Sequence, residues 1–182
     1  MKTKAIRNKM TKKRIFLKQF SSVYQIRRLT KEDLPCLLKL CKTNPYYYRH
    51  CPPDLTIETL KKDMVALPPR TTKKDKKYVG FFKGNELIAV LDLILNYPNP
   101  ETCFIGFFMM HKKYQGRGIG SQIVQDVLEY LKNFYEMVQL GHVSTNEQAK
   151  GFWLKNKFEY TGQEYKEPQY LYIVKIMTKE LK

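Results

Sequence analysis

The sequence predicts one α+β (α/β) domain of about seven strands and about four helices. Three observations lead there. Apolar residues recur at helical spacing in some segments and alternate or run continuously in others. The two kinds of segment interleave along the chain, and short clusters of Gly, Pro, Asn and Asp separate them. Finally, 182 residues with 43% hydrophobic and 13% aromatic content are enough for one sizeable core. No internal repeat or second domain is visible.

Residues 23–28 alternate as a strand, and Thr30 offers an N-cap to a helix over 31–41, where Leu34, Leu37, Leu38 and Cys41 share a face. Residues 44–48, with Pro45 and three tyrosines, read as a loop. Asp54 or Thr56 caps a second helix to about Ala66, which Pro68 and Pro69 stop. Residues 71–77 read as a basic, exposed connection. Residues 78–82 and 86–95 form a hairpin around the turn 83–85, and 102–110 is an apolar strand covered on both faces. The turn 116–120 opens an amphipathic helix with Ile119, Ile123, Val124, Val127, Leu128 and Leu131 on one stripe. A strand over 137–143, a helix over 146–156 and strands over 158–165 and 170–177 complete the order β α α β β β α β α β β.

The net charge of +16 is uneven: eight of the 33 Lys and Arg lie in residues 1–18, which hold no acid. Residues 1–20 are therefore expected to be a basic, partly disordered tail, and the folded domain to span 21–182. Such a tail suits a nucleic-acid or membrane-surface arm, a transit segment, or a start site that in fact lies at Met10. No apolar run approaches the ~20 residues of a membrane span, and no apolar stretch follows the charges as a secretory signal requires. Four cysteines (Cys36, Cys41, Cys51, Cys103) form no CxxC pair, which fits reduced thiols in the cytoplasm. Cys36, Cys41, His50 and Cys51 match zinc-ligand spacing badly, so no metal is expected. The oligomeric state stays open, with a dimer among the options.

Gln115-Gly116-Arg117-Gly118-Ile119-Gly120-Ser121 follows an apolar strand and opens a helix. Glycines there let the backbone turn tightly and approach a ligand, and helix N-terminal amides attract a phosphate or pyrophosphate, with Arg117 adding charge. Spacing removes two alternatives. A dinucleotide fingerprint needs a third glycine where Ser121 stands, and a P-loop needs Gly-Lys-Ser/Thr. A ligand-free turn would have the same local pattern.

The run Gln115–Gly120 resembles the Gln/Arg-x-x-Gly-x-Gly/Ala motif of the GNAT superfamily of N-acetyltransferases. Residues 146–158, with Asn146, Ala149, Phe152 and Phe158, are similar to that family's second block. The two blocks are one helix and one strand apart, as in the family, and the element order agrees over roughly 22–178. The resemblance implies a mixed, mostly antiparallel central sheet and acetyl-CoA (coenzyme A) as co-substrate. It also implies acetyl transfer to a primary amine of a small molecule, peptide or protein. Met109, Met110 and His111 would pair with the pantetheine arm, a backbone N–H there would stabilise the oxyanion, and the strands over 102–110 and 137–143 would splay. Gln115, Gly116, Arg117, Gly118, Ile119, Gly120 and Ser121 would hold the pyrophosphate, while Asn146, Phe152 and Trp153 would line the cofactor arm. The tyrosines 46–48 would sit at the acceptor site.

Two departures matter. Trp153 stands where many members have a Tyr that protonates the departing thiolate, and an indole N–H has no useful acidity. Trp153 therefore packs near the thioester or in the core. Lys157 replaces a Gly before Phe158. For the general base, Asp92 interrupts the apolar run 87–95, and burial would raise its pKa towards a useful range. The other reading, favoured by the sequence, is a structural carboxylate satisfied by backbone amides. Glu101 and His111 are weaker candidates, and ordered water is another. Competing functions are a basic RNA- or ribosome-associated protein using the tail and residues 73–77, or an acetyl-CoA-binding domain without turnover.

Overall fold

In the computed structural model, residues 14–167, 170 and 172–182 are described. The expected tail falls largely on residues 1–13, outside these. Leu17–Phe20 forms a single 3-10 turn, and the Phe20 ring is fully buried against Tyr130, 5.7 Å between centroids. The amide of Phe16 donates to the Tyr130 hydroxyl at 2.9 Å. Phe16 and Phe20 thus contact the rest of the described chain through Tyr130.

Seven strands form one sheet: β1 (Gln25–Arg28), β2 (Lys76–Lys83), β3 (Glu86–Ile94), β4 (Thr102–Met110), β5 (Met137–Val143), β6 (Glu159–Glu167) and β7 (Tyr172–Glu180). Their spatial order is β1-β2-β3-β4-β5-β7-β6, and among the described residues the central pair β4–β5 is the parallel one. This is the mixed, mostly antiparallel sheet expected. Helices α1 (Leu34–Lys42), α2 (Pro45–His50) and α3 (Ile57–Asp63) connect β1 to β2, α4 (Ile119–Leu131) joins β4 to β5, and α5 (Glu147–Lys155) follows β5.

The sheet is covered on both faces, which explains the long apolar runs inside β2, β3 and β4. On one face the α4 stripe, with Ile123, Val127 and Leu131, packs with Trp153 of α5 against Leu91, Leu93, Val138 and Leu140. On the other, Leu37 and Leu40 of α1 and Leu60 of α3 pack against Tyr78, Val90 and Met109.

Two expectations change. Residues 44–48 are not a loop: Pro45 takes the first position of α2, where its missing N–H costs nothing, and Tyr47 and Tyr48 tuck against the α1 cluster. Residues 71–77 are not wholly exposed either. Lys76 and Lys77 open β2 and are 5% and 8% exposed. The Lys76 ammonium meets Asp92 at 2.6 Å, and that of Lys77 donates to the Lys74 carbonyl. Neither is offered to a phosphate. Lys157, the departure from Gly, still makes the turn into β6 with φ 66°, a left-handed conformation that glycine adopts more cheaply.

Candidate active site

The parallel pairing of β4 and β5 runs from Thr102 with Met137 to Ile105 with Leu140 and stops there. Both strands continue, β4 to Met110 and β5 to Val143, so they separate and open a cleft in the middle of the sheet. Opposite the point of separation, the β3–β4 register shifts between Asp92 and Leu93, leaving Gly106 as an extra residue. A cavity of about 400 Å³ occupies the gap and is lined from both faces of the sheet.

On the α4 side the wall is made of backbone. Gly116 and Gly118 hold φ of 74° and 79°, with open space where a Cβ would project. Gly118 is the residue before α4, and the first intrahelical bond runs from Gln122 N–H to its carbonyl at 3.0 Å. The amides of Ile119, Gly120 and Ser121 therefore have no partner within the helix. A Cβ on Gly120 would lie 2.7 Å from Met110 Sδ and 3.3 Å from the Phe152 ring, so this close contact with β4 and α5 requires glycine. Asn146 begins α5, its Oδ1 accepting from the Ala149 amide at 3.0 Å.

Met110 shows how the β4 edge is arranged. His111 N–H bonds Ile88 O at 2.9 Å, and strand alternation then turns the amide and carbonyl of Met110 away from β3. That carbonyl accepts from Asn44 Nδ2 at 2.9 Å and Gln115 Nε2 at 3.0 Å. Gln115 Nε2 also reaches Asn44 Oδ1 at 2.7 Å. Asn44 thus ties the α1–α2 junction to the glycine turn.

On the α2 side the wall is made of side chains. Tyr46, Tyr47, Cys51 and Phe107 line it, the Tyr47 ring lying edge-on to Phe107 at 5.5 Å. His50 Nδ1 and Thr145 Oγ1, 2.9 Å apart, link α2 to the segment after β5. His142 also lines the cleft. Its Nε2 faces the Asn146 carbonyl at 3.0 Å, which can only accept, so Nε2 carries the proton. Nδ1 then accepts from the Tyr160 hydroxyl at 3.1 Å. Burial lowers the His142 pKa and favours this neutral form. Burial likewise pushes the pKa of the Cys51 thiol up.

Most of the residues expected to bind a cofactor meet here: Met109, Met110, Gln115, Gly116, Gly118, Gly120, Ser121, Asn146, Phe152 and Trp153 all line the cleft. His111, Arg117 and Ile119 do not. His111 turns out of the strand and accepts from the Lys113 amide through Nδ1, the Arg117 side chain is exposed, and that of Ile119 packs on the core. Trp153 is 7% exposed and set among Phe152, Phe158 and Phe108 at 4.9, 5.1 and 6.1 Å, so the indole is a core ring at the cleft's edge. Asp92 is not in the lining either. It lies behind Gly106, whose Cβ would be 3.0 Å from Asp92 Oδ2. Burial raises its pKa to about 6 against the pull of Lys76, and Oδ1 is buried without a partner, as is the Tyr78 hydroxyl.

Asn44, Gly106 and His142 were not singled out from the sequence. The shift at Gly106 and the Asn44 contacts arise between distant segments. His142 carried the only local signal, a histidine inside an alternating apolar strand. Among the described residues no group of three or more His, Cys, Asp or Glu is placed to hold a metal, and no helix is long and apolar enough to cross a membrane.

Residues 26–158 match the model of the acetyltransferase (GNAT) family. No curated protein sequence matches the chain. Solved structures with the same fold include an acetyltransferase from Thermus thermophilus, with 21% identity, 87% of this chain and 97% of that one covered, and TM-score 0.68. Another is the Salmonella typhimurium acetyltransferase described as modifying the N-terminal serine of the 50S subunit protein L7/L12, with 18% identity, 88% and 96% covered, and TM-score 0.68. A third is the PaiA N-acetyltransferase of Thermoplasma acidophilum in complex with coenzyme A, with 18% identity, 86% and 98% covered, and TM-score 0.62.

Proposed function

This chain belongs to the acetyltransferase (GNAT) family, and we propose that it transfers the acetyl group of acetyl-CoA to a primary amine of a small molecule, peptide or protein. The observation that carries this reading is the cleft at the β4–β5 separation, bounded by the unpartnered amides that open α4. Acetyl-CoA would supply an acetyl group already activated as a thioester.

The residues present suit that molecule. The amides of Ile119, Gly120 and Ser121 have no partner within α4, and Gly116 and Gly118 leave open space at the same turn, which suits a pyrophosphate. His111, Arg117 and Ile119 contribute backbone or surface charge at most, because their side chains are not in the cleft. The Met110 amide, turned away from β3, gives the strand edge a donor for the thioester carbonyl or the arm behind it. Asn146 is fixed by its cap and by the neutral His142.

An amine acceptor gives up a proton, and Asp92 sets a carboxylate against Gly106 at the splay. Burial raises its pKa to about 6, towards the range of a useful base, and Gly106, the cleft residue in front of it, has no side chain to shield it. Trp153 supplies no proton. The neighbour described as acting on a ribosomal-protein N-terminus makes a protein acceptor a natural first trial.

Calorimetric titration with acetyl-CoA followed by a thiol-release assay over an amine panel tests the reading. Binding with thiol release is expected, whereas absence of binding would overturn it and binding without release would leave a non-catalytic acetyl-CoA domain. Turnover should rise as pH passes upward through about 6, where Asp92 ionises. Asp92→Asn should remove that rise, and an unchanged profile would return Asp92 to a purely structural role.

A further inference from the structure

Resting on the acetyl-transfer reading, we propose that the acceptor is a primary amine borne next to an apolar or aromatic group, with no second cationic centre, and is not a polyamine. The α2-side wall consists of the rings of Tyr46, Tyr47 and Phe107 with the Cys51 thiol between them. These rings are packed on neighbours: Tyr47 on Tyr48 at 5.1 Å and on Phe107 at 5.5 Å, Tyr46 on His50 at 4.6 Å.

The polar groups on this wall are uncharged. His142 is held as the Nε2–H tautomer by the Asn146 carbonyl and the Tyr160 hydroxyl, and Asn146 Nδ2 points at Cys51 Sγ, 3.9 Å away. Among the described lining residues there is no carboxylate, and the charged one is a cation, Lys155. The carboxylate behind Gly106 is committed to Lys76 at 2.6 Å. Among the described lining residues a second ammonium group would meet no counter-charge, and an unpaired charge taken out of water is strongly disfavoured. A single amine loses its charge when it reacts, and the aromatic wall then favours an apolar group beside it. The 400 Å³ is shared with the cofactor arm, so the acceptor inserts the amine and one adjacent group while the rest of its body stays outside.

The full chain is assayed for thiol release with saturating acetyl-CoA and four acceptors: 2-phenylethylamine, a peptide beginning with Phe, a peptide beginning with Lys, and spermidine. The first two should have kcat/KM at least tenfold above spermidine and above the Lys peptide. Preference for the Phe peptide over the free amine identifies a polypeptide N-terminus, and the reverse identifies a small molecule. Tyr46→Ala, at a half-exposed position, should lower kcat/KM for the aromatic acceptors about tenfold while acetyl-CoA affinity stays within threefold. Spermidine equal to or better than the aromatic amines would overturn the proposal. So would release from none of the four by a protein that binds acetyl-CoA. Failure to bind acetyl-CoA at all would instead overturn the acetyl-transfer reading beneath it.

Discussion

The two walls of the cleft are built in different ways. The α4 wall is a stretch of contiguous backbone, Gln115 to Ser121, whose geometry follows from three glycines and a helix start. The α2 wall and the floor behind it are side chains brought together from β2, β3, β4, β5 and α2, held by a buried ion pair and by Asn44. A wall of backbone is recognisable as a local pattern and is broken by a local Cβ. A wall of assembled side chains has no local pattern and is broken by removing one distant partner.

The largest effect should come from the floor. Lys76→Met leaves Asp92 buried beside no counter-charge, and breaking such a pair costs about 3–5 kcal/mol. The pH dependence has a definite sign. Asp92 titrates at about 6 in the folded chain against an ordinary 3.8, so the folded state holds the proton more tightly than the unfolded one. Its contribution to stability therefore falls as pH rises from about 4 to 6. Without Lys76 that window moves higher, so urea unfolding should show a much larger loss at pH 8 than at pH 5. An equal loss at both would separate the ammonium from the carboxylate's titration.

Next comes the backbone wall. Gly118→Val forces a β-branched residue into a left-handed conformation, at a cost of about 1–2 kcal/mol for the backbone alone, and reorients the amides of α4. Acetyl-CoA affinity should fall about 100-fold or more by calorimetry, with the circular dichroism spectrum retained. An unchanged affinity would move the cofactor elsewhere.

Asn44 joins the two walls and should give an intermediate effect. Asn44→Ala removes one of two donors to the Met110 carbonyl and leaves Gln115 with that carbonyl alone. The expected loss is about 1–2 kcal/mol in urea unfolding. If the junction positions the turn, acetyl-CoA binding weakens with it; loss of stability without weaker binding would make Asn44 a packing residue only.

The smallest effect belongs to Trp153. Trp153→Phe keeps a ring in the Phe108, Phe152 and Phe158 cluster and removes no proton donor. Turnover should stay within about threefold, with the pH profile unmoved. A lost alkaline limb would mean that the indole orders the proton source.

The same division explains what could be read from the sequence. β4 and β5 were placed residue for residue, because their apolar runs and bounding turns are local. The glycine turn was read as an anion site for the same reason. α2 was missed because Pro45 and three tyrosines look like a loop until Tyr47 and Tyr48 find the α1 cluster. Lys76 and Lys77 look exposed in the sequence because a lysine's burial depends on its partner, for Lys76 a carboxylate 16 residues away and for Lys77 the Lys74 carbonyl. The side chains of His111, Arg117 and Ile119 lie outside the cleft; the sequence assigns side-chain charge to Arg117 alone, and His111 and Ile119 sit in segments expected to act through their backbone. Burial of Asp92 was legible from its apolar neighbours, but its position behind Gly106 depended on a register shift that no pattern announces.

The central claim, that one cleft at the β4–β5 separation receives the cofactor along the α4 wall, is tested most directly by amide chemical-shift mapping during titration with coenzyme A. The largest shifts should fall on Phe108 to Met110, Gly116 to Ser121 and Asn146 to Trp153, with smaller ones on Tyr46 to Cys51. Shifts confined to other segments, with Gly118, Gly120 and Met110 unmoved at saturation, would contradict it.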